Sequence, residues 1–138
     1  MFTNETFIAM QDFIYVKDGS KNVQMLFCDI LYIEAKDKYA TLVTLNGRHL
    51  ILQPLQTIER VLPAQVFCRI HRSYIISLLH TKWFDHNTAF VGNQKFPIGK
   101  NYKNALSGRV VMLTNEHAPY ANLSDFDKLG LFGKIKPS

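Results

Sequence analysis

The feature that most constrains this fold is a series of short apolar runs separated by turn residues. Asn46-Gly47 lies between the apolar-rich runs 39–45 and 48–52, and this dipeptide is the strongest short-range signal for a β-hairpin. Asp18-Gly19-Ser20 and Gly92-Asn93 are further turn signals between such runs. The spacing leaves room for roughly eight or more short strands, which predicts a mainly β domain.

One segment between the strands has helical spacing instead. Pro54 suits the first turn of a helix, and Pro63 marks its end. Between them, apolar residues recur at helical intervals and predict a core-facing stripe: Leu55, Ile58, Val61 and Leu62. A last helical or mixed segment is predicted over residues 101–113. We therefore expect small antiparallel sheets with one or two short helices.

The length of 138 residues fits one domain with its own core. We expect residues 12–113 to form this domain, preceded by a linker or leader over residues 1–11. The texture changes over residues 114–138, which contain glycines, prolines and an apolar series from Tyr120 to Phe132. This C-terminal extension either docks as a short helix or stays mobile.

The charge balance restricts the partners of the chain. Lys and Arg number 16 against 11 Asp and Glu, so the net charge is +5, and the pI is about 9.3. A basic domain favours a polyanion and argues against a cationic partner. The two cysteines, Cys28 and Cys68, form no CxxC pair, and no apolar run reaches 18 residues. We expect a reduced, cytoplasmic protein without a membrane span.

Residues 67–76, Phe-Cys-Arg-Ile-His-Arg-Ser-Tyr-Ile-Ile, combine polar donors with enough apolar surface to anchor them. The donors are Arg69, His71, Arg72 and Ser73. A rigid set of this kind suits an anion such as a phosphate backbone, because guanidinium and hydroxyl groups donate hydrogen bonds to phosphate oxygens. A strand edge with solvated charges explains the run equally well, so both interpretations stay open at this point.

Catalytic and metal sites find less support. His71 and Cys68 are three residues apart, and regular strand alternation predicts opposite faces for them. Glu34 and Asp37 suit the positioning of a cationic loop better than acid–base chemistry. The other histidines lack ligand spacing, and no Gly-rich phosphate loop, nucleophile elbow or HExxH motif occurs. We expect no enzyme activity, no metal and no cofactor, and we expect Trp83 to pack in the core or at an edge, with base stacking as the alternative.

Three segments in order resemble the LytTR family of DNA-binding domains. Residues 30–35, Ile-Leu-Tyr-Ile-Glu-Ala, followed by Tyr39, resemble the opening signature of the family. Residues 67–76 resemble its central signature. Residues 96–102 with Leu106 resemble the third, in which an apolar-Pro segment leads to a small, a basic and an aromatic residue. The intervals agree from about Phe13 to Val110, whereas Ser77 departs from the asparagine of many relatives.

The resemblance implies a bacterial transcription regulator that binds double-stranded DNA and reads its sequence. The fold would be an elongated arrangement of small antiparallel sheets, whose loops enter successive major grooves and bend the duplex. The implied base-reading positions are Ala40, Arg72 and Lys100. The implied phosphate-contacting positions are Lys36, Lys38, Tyr39, Ser73, Asn101 and Lys103. Ala40 offers only a methyl group to a base, and Lys100 lacks the planar fork of the arginine in many relatives.

The resemblance also implies partners. The family usually joins this domain to an N-terminal receiver, and two copies would bind direct repeats in promoter DNA. Because the pattern begins near residue 13, we expect either an excised output domain or a stand-alone regulator. The alternative function is a protein-interaction module, in which the tail from Tyr120 to Phe132 docks a partner and the basic loops only keep the domain soluble.

Overall fold

The computed structural model describes residues 12–115, which form ten strands and one α-helix. The elements in chain order are β1 (Phe13–Asp18), β2 (Lys21–Leu26), β3 (Ile30–Lys36), β4 (Tyr39–Thr44), β5 (Gly47–Ile51), α1 (Leu55–Val61), β6 (Phe67–His71), β7 (Tyr74–Ser77), β8 (Thr81–Phe84), β9 (Thr88–Val91) and β10 (Gln94–Pro97). The predicted linker over residues 1–11 and the apolar tail from Tyr120 to Phe132 lie outside the described residues.

The strands form three small antiparallel sheets. β1 and β2 pair as an isolated hairpin, and β8, β9 and β10 form a three-stranded sheet with β9 in the centre. The remaining strands form a five-stranded sheet in the order β5-β4-β3-β7-β6. The prediction of a mainly β fold built from small antiparallel sheets is confirmed. Asn46-Gly47 lies at the predicted β4–β5 hairpin, with Gly47 opening β5.

The five-stranded sheet carries core on both faces, because side chains of alternating strand positions enter two separate clusters. On one face, Ile33 and Ile75 pack with α1 and the β1–β2 hairpin. On the other face, Tyr32 and Ile76 pack against the three-stranded sheet. Strand β4 is therefore buried at all positions after Tyr39. This double burial fixes the register of the sheet, since a one-residue slip would exchange the two clusters.

Helix α1 covers the first of these faces. Leu55, Ile58 and the following Leu62 are buried as predicted, whereas Val61 is 65% exposed. The backbone is extended at Leu62, as expected before Pro63. Residues 101–113 form no regular helix; a 3-10 turn at Lys100–Tyr102 is followed by further turns. No helix within residues 12–115 combines the length and apolar character that crossing a bilayer requires.

The outer face of the three-stranded sheet presents an aromatic pair. Trp83 is 43% exposed and stacks on Phe90 of the neighbouring strand, with ring centroids 5.6 Å apart. Lys95 lies over the Trp83 ring at 6.0 Å. Phe84 points the other way and packs against the second core cluster. Trp83 thus lies on the exposed face of β8, a strand at the edge of this sheet, and not in the core.

Candidate nucleic-acid interface

The β3–β4 hairpin ends in a two-residue turn that carries exposed cations. Lys36 pairs with Tyr39, which leaves Asp37 and Lys38 at the tip. Asp37 has a φ of 50°, a left-handed conformation that short polar side chains tolerate better than most. The Lys36 ammonium lies 3.6 Å from the carboxylate of Glu34, so one cation of this turn is partly neutralised. Lys38 makes no ion pair within the described part of the chain.

Of the three predicted base-reading residues, Ala40 is the one whose position in the structure rules out contact with a base. It follows the turn in β4, pairs with Ala35 and Ile51, and is completely buried in the first core cluster. A methyl group without accessible surface cannot touch a thymine, so the assignment of Ala40 as a base-reading residue is wrong for this structure. Strand alternation explains the error, because Leu42 points into the core and Ala40 lies two residues before it.

The β6–β7 hairpin ends in a second two-residue turn, formed by Arg72 and Ser73. Arg72 is exposed, and within residues 12–115 its guanidinium makes no hydrogen bond or ion pair. The backbone N–H of Ser73 donates to Nδ1 of His71 at 3.0 Å, which closes the turn from the inside. The turn therefore presents one free guanidinium on a backbone that its neighbours hold.

Arg69 holds the same turn from its other side. Its Nε donates to the carbonyl of His71 at 3.2 Å, and a terminal nitrogen donates to the carbonyl of Arg72 at 2.7 Å. The other terminal nitrogen donates to the carboxylate of Glu59 on α1 at 3.3 Å. Sequence reasoning treated Arg69 as one of several surface donors, whereas the structure turns its guanidinium inward, against the backbone of the turn.

A β-bulge lies at Ile70, where β6 contacts the segment that follows β10. The strand register shifts between Arg69 and His71, and the carbonyl of Ile70 accepts a hydrogen bond from the N–H of Gly99 at 2.7 Å. The bulge also turns the ring of His71 towards Tyr74, with ring centroids 5.3 Å apart. Tyr74 packs against the cluster that buries Cys68. The predicted opposite faces for Cys68 and His71 are therefore wrong, because the bulge breaks regular alternation.

The third segment, residues 99–103, follows β10. Lys100 and Asn101 are exposed, whereas Lys103 is half-buried and ties the segment down. The Lys103 ammonium donates to the carbonyl of Ile98 at 2.9 Å and to Oδ1 of Asn87 at 3.0 Å. Two of its three N–H donors are thus engaged within the protein, and one remains for an external acceptor.

The β8–β9 turn that supplies Asn87 is organised by Asp85. Its carboxylate accepts hydrogen bonds from the N–H groups of Asn87 at 2.9 Å and Thr88 at 2.7 Å. The hydrogen bond from Asn87 contributes most, and together with the bond from Thr88 it holds the pKa of Asp85 below its usual value of 3.8. The nearby His86 and Lys103 act in the same direction. The carboxylate is therefore ionised at neutral pH, and it accepts its two hydrogen bonds from within the turn.

Two backbone hydrogen bonds bring the three segments together. The N–H of Ala35 donates to the carbonyl of Ser73 at 2.9 Å, and the N–H of Gly99 donates to that of Ile70. We call the resulting surface the three-turn edge; it comprises residues 36–39, 72–73 and 99–103. It carries the cations Lys36, Lys38, Arg72, Lys100 and Lys103 with one carboxylate of its own, Asp37. Such a surface suits an extended anion.

Metal chemistry has no counterpart among these side chains. Throughout residues 12–115, no group of three His, Cys, Asp or Glu residues lies close enough to hold a metal ion. Cys28 is exposed and Cys68 buried, and both are free thiols. The chemistry that the edge offers is hydrogen-bond donation and positive charge.

Comparisons with known proteins point to one family. The family model of the LytTr DNA-binding domain matches residues 20–110. The chain is similar to the sensory transduction protein LytT of Bacillus subtilis (strain 168), at 27% identity over 56% of this chain and 35% of that protein. It thus spans about a third of that relative. It also resembles the solved LytTr DNA-binding domain of a putative methyl-accepting/DNA response regulator from Bacillus cereus, at 26% identity, covering 67% of this chain and 90% of that one, with a TM-score of 0.57.

Fold and surface together define a small β domain with a cationic edge built from hairpin turns. Since the family model covers well over half of the 138 residues, the chain belongs to the LytTr family of DNA-binding domains.

Proposed function

We propose that this domain binds double-stranded DNA sequence-specifically and acts in transcription regulation, with the three-turn edge against one side of the duplex. The observation that supports this most directly is the pair of hydrogen bonds, Ala35 to Ser73 and Gly99 to Ile70, that joins three cationic segments. Separate loops need such linkage to contact one duplex at once. Bound side-on, they would enter successive major grooves, where each base pair presents its own donor and acceptor pattern.

Within this proposal, Arg72 and Lys100 read bases. Arg72 is exposed on a held turn, and its guanidinium can pair both acceptors of a guanine. Lys100 is exposed as well, but its ammonium acts as a point donor rather than a planar fork. Contacts to phosphate, which set the register of the domain on the duplex, fall to Lys36, Lys38, Tyr39, Ser73, Asn101 and Lys103.

We further propose that two copies bind direct repeats in promoter DNA and that the duplex bends. Occupation of one repeat would raise the local concentration of the second copy, so affinity would rise without any new base contact. Bending would make untouched base pairs contribute to specificity through their stiffness. A receiver domain elsewhere in a longer protein would control this pairing, in keeping with the response-regulator relative from Bacillus cereus.

Selection of bound sequences from a random duplex pool tests the proposal. We expect a short motif to be enriched, and its repeat spacing to reveal how many copies bind. Fluorescence resonance energy transfer between dyes at the two ends of the duplex then measures bending. Failure to enrich any motif, with binding that is equal on all duplexes, would reject sequence-specific recognition.

Substitutions then distinguish residues that read bases from residues that contact phosphates. Arg72→Ala should weaken binding to the selected motif by about 1–3 kcal/mol, roughly five- to 150-fold, and binding to a scrambled duplex far less. Lys38→Ala is the matched control, because loss of a phosphate contact weakens both duplexes alike. Equal losses on the two duplexes for Arg72→Ala would remove this residue from base reading.

A further inference from the structure

Arg69 is a charged side chain that lies largely inside the protein. Only 16% of its side chain is exposed, and each of its three guanidinium nitrogens donates a hydrogen bond. Two of these bonds end on the carbonyls of His71 and Arg72, and the third ends on Glu59 of α1. Burial of a charge is unfavourable unless it is paired and hydrogen-bonded, so this arrangement needs all of its partners.

We propose that Arg69 is a positioning residue for DNA reading, which orients Arg72, and that Glu59 anchors Arg69. The inference rests on the proposed function, because it assigns the orientation of a residue that reads bases. It adds a role for two side chains that would not themselves touch DNA.

The geometry of the guanidinium supports this role. It is planar and rigid, and it joins the carbonyls of His71 and Arg72, the two peptide groups that flank the Arg72 Cα. Fixing both peptide groups fixes the direction in which the Arg72 side chain leaves the backbone. Without the hydrogen bonds from Arg69, the two-residue turn would keep more conformational freedom. Binding to DNA would have to remove that freedom, at a cost in affinity.

The charge of Arg69 acts in the same direction. Carbonyl oxygens carry the negative end of the peptide dipole and repel an approaching phosphate. In this turn the carbonyls of His71 and Arg72 accept bonds from Arg69, and that of Ser73 accepts one from Ala35. Three consecutive carbonyls are thereby engaged within the protein, so the donor that the turn presents to the duplex is the guanidinium of Arg72.

A purely structural Arg69 would stabilise the domain without affecting sequence choice, and the two roles differ in one measurable ratio. For the full chain, affinity is measured on the selected motif and on a scrambled duplex, beside the urea midpoint. Arg69→Met should reduce the motif-to-scrambled ratio about tenfold or more, towards that of Arg72→Ala. Arg69→Lys keeps the charge but cannot join both carbonyls, so it should recover only part of the ratio. Arg60→Met removes an exposed arginine from the same helix as Glu59 and should leave the ratio unchanged.

A double-mutant cycle makes the test decisive. If Arg69 acts through Arg72, the combined variant should show no greater loss of discrimination than Arg72→Ala alone. Glu59→Ala, which leaves the two carbonyl bonds in place, should reduce the ratio by a smaller factor of about two to three. Should Arg69→Met fail to fold, Arg69→Lys and Glu59→Ala carry the same comparison.

Two results would overturn the inference. One is a full additive loss in the combined variant, and the other is a ratio that stays at the wild-type value in folded Arg69 variants. Neither is confused with failure of the proposed function, because in that case the wild-type chain itself would not discriminate between the two duplexes.

Discussion

Among single residues, Ser77 stands out because its buried hydroxyl group gives no evident stabilisation. Its side chain is completely buried at the end of β7, and its hydroxyl has no hydrogen-bond partner within the described structure. Ser77→Ala removes this unsatisfied group at little cost in volume. We expect the free energy of unfolding to stay constant or rise by up to about 1 kcal/mol, since an unpaired buried hydroxyl is unfavourable. Urea denaturation followed by the emission of Trp83, the single tryptophan, measures it.

Thr81 supplies the matched control for this prediction. Its hydroxyl donates to the carbonyl of Ser77 at 2.7 Å, so a hydroxyl of the same region is satisfied there. Thr81→Val should lower the free energy of unfolding by about 0.5–1.5 kcal/mol. A Ser77→Ala variant that loses as much as Thr81→Val would show that the Ser77 hydroxyl has a partner, such as a bound water.

Single residues of the candidate site differ in how far the sequence predicts their positions. The exposed side chains of Arg72 and Lys100 lie on turns, where the family resemblance placed them. Ala40 was misplaced although the alternation with Leu42 indicated burial. The inward course of Arg69 had no sequence signal, because it depends on Glu59, ten residues earlier on α1, and on the backbone of a turn.

At the scale of elements, the β8–β9 turn should respond to acid. Its carboxylate, Asp85, has a lowered pKa in the folded state, so it binds protons less readily there than in the unfolded chain. The stabilisation is therefore present above the unfolded pKa, near 3.8, and is lost as the pH falls through the lower folded value. Asp85→Asn should be less stable than wild type at neutral pH, and the difference should shrink below about pH 4. Thermal unfolding of both proteins between pH 2.5 and 7 checks this, and a difference independent of pH would contradict it.

The segment after β10 should depend on Lys103 for its conformation. Lys103→Met removes two charge-assisted hydrogen bonds, to Asn87 and to the carbonyl of Ile98, while it keeps much of the apolar stem. We expect a loss of about 1–2 kcal/mol in the free energy of unfolding. Lys38→Met changes an exposed lysine of the same charge and should stay within about 0.5 kcal/mol of wild type. If the two variants were equally stable, the role of Lys103 in holding this segment would be refuted.

Elements differ in how far the sequence predicts them. The β1–β2, β4–β5 and β9–β10 hairpins were predicted well, because turn residues and flanking apolar runs lie close together in the chain. The pairing of β3 with β7 joins strands some forty residues apart, and no local signal specifies it. The bulge at Ile70 is equally hidden, since it is defined only by the partner strand and changes which face His71 occupies.

At the scale of the whole molecule, the three-turn edge concentrates positive charge, and this should determine how binding responds to salt. Three of its lysines, Lys36, Lys38 and Lys103, are proposed to contact phosphates. Each neutralised phosphate releases counterions, so log K should fall with log salt at a slope of about −2.7 for three contacts, and about −4.5 if all five cations of the edge take part. The partial pairing of Lys36 with Glu34 favours the smaller value.

A duplex with a single selected half-site measures this slope without the contribution of a second copy. Lys38→Gln should make the slope shallower by about 0.9, since one phosphate contact is lost. Lys82→Gln changes the same charge outside the three-turn edge and should leave it unaltered. If the two variants changed the slope equally, net charge rather than the three-turn edge would govern binding, because long-range attraction depends on total charge and not on its place in the fold.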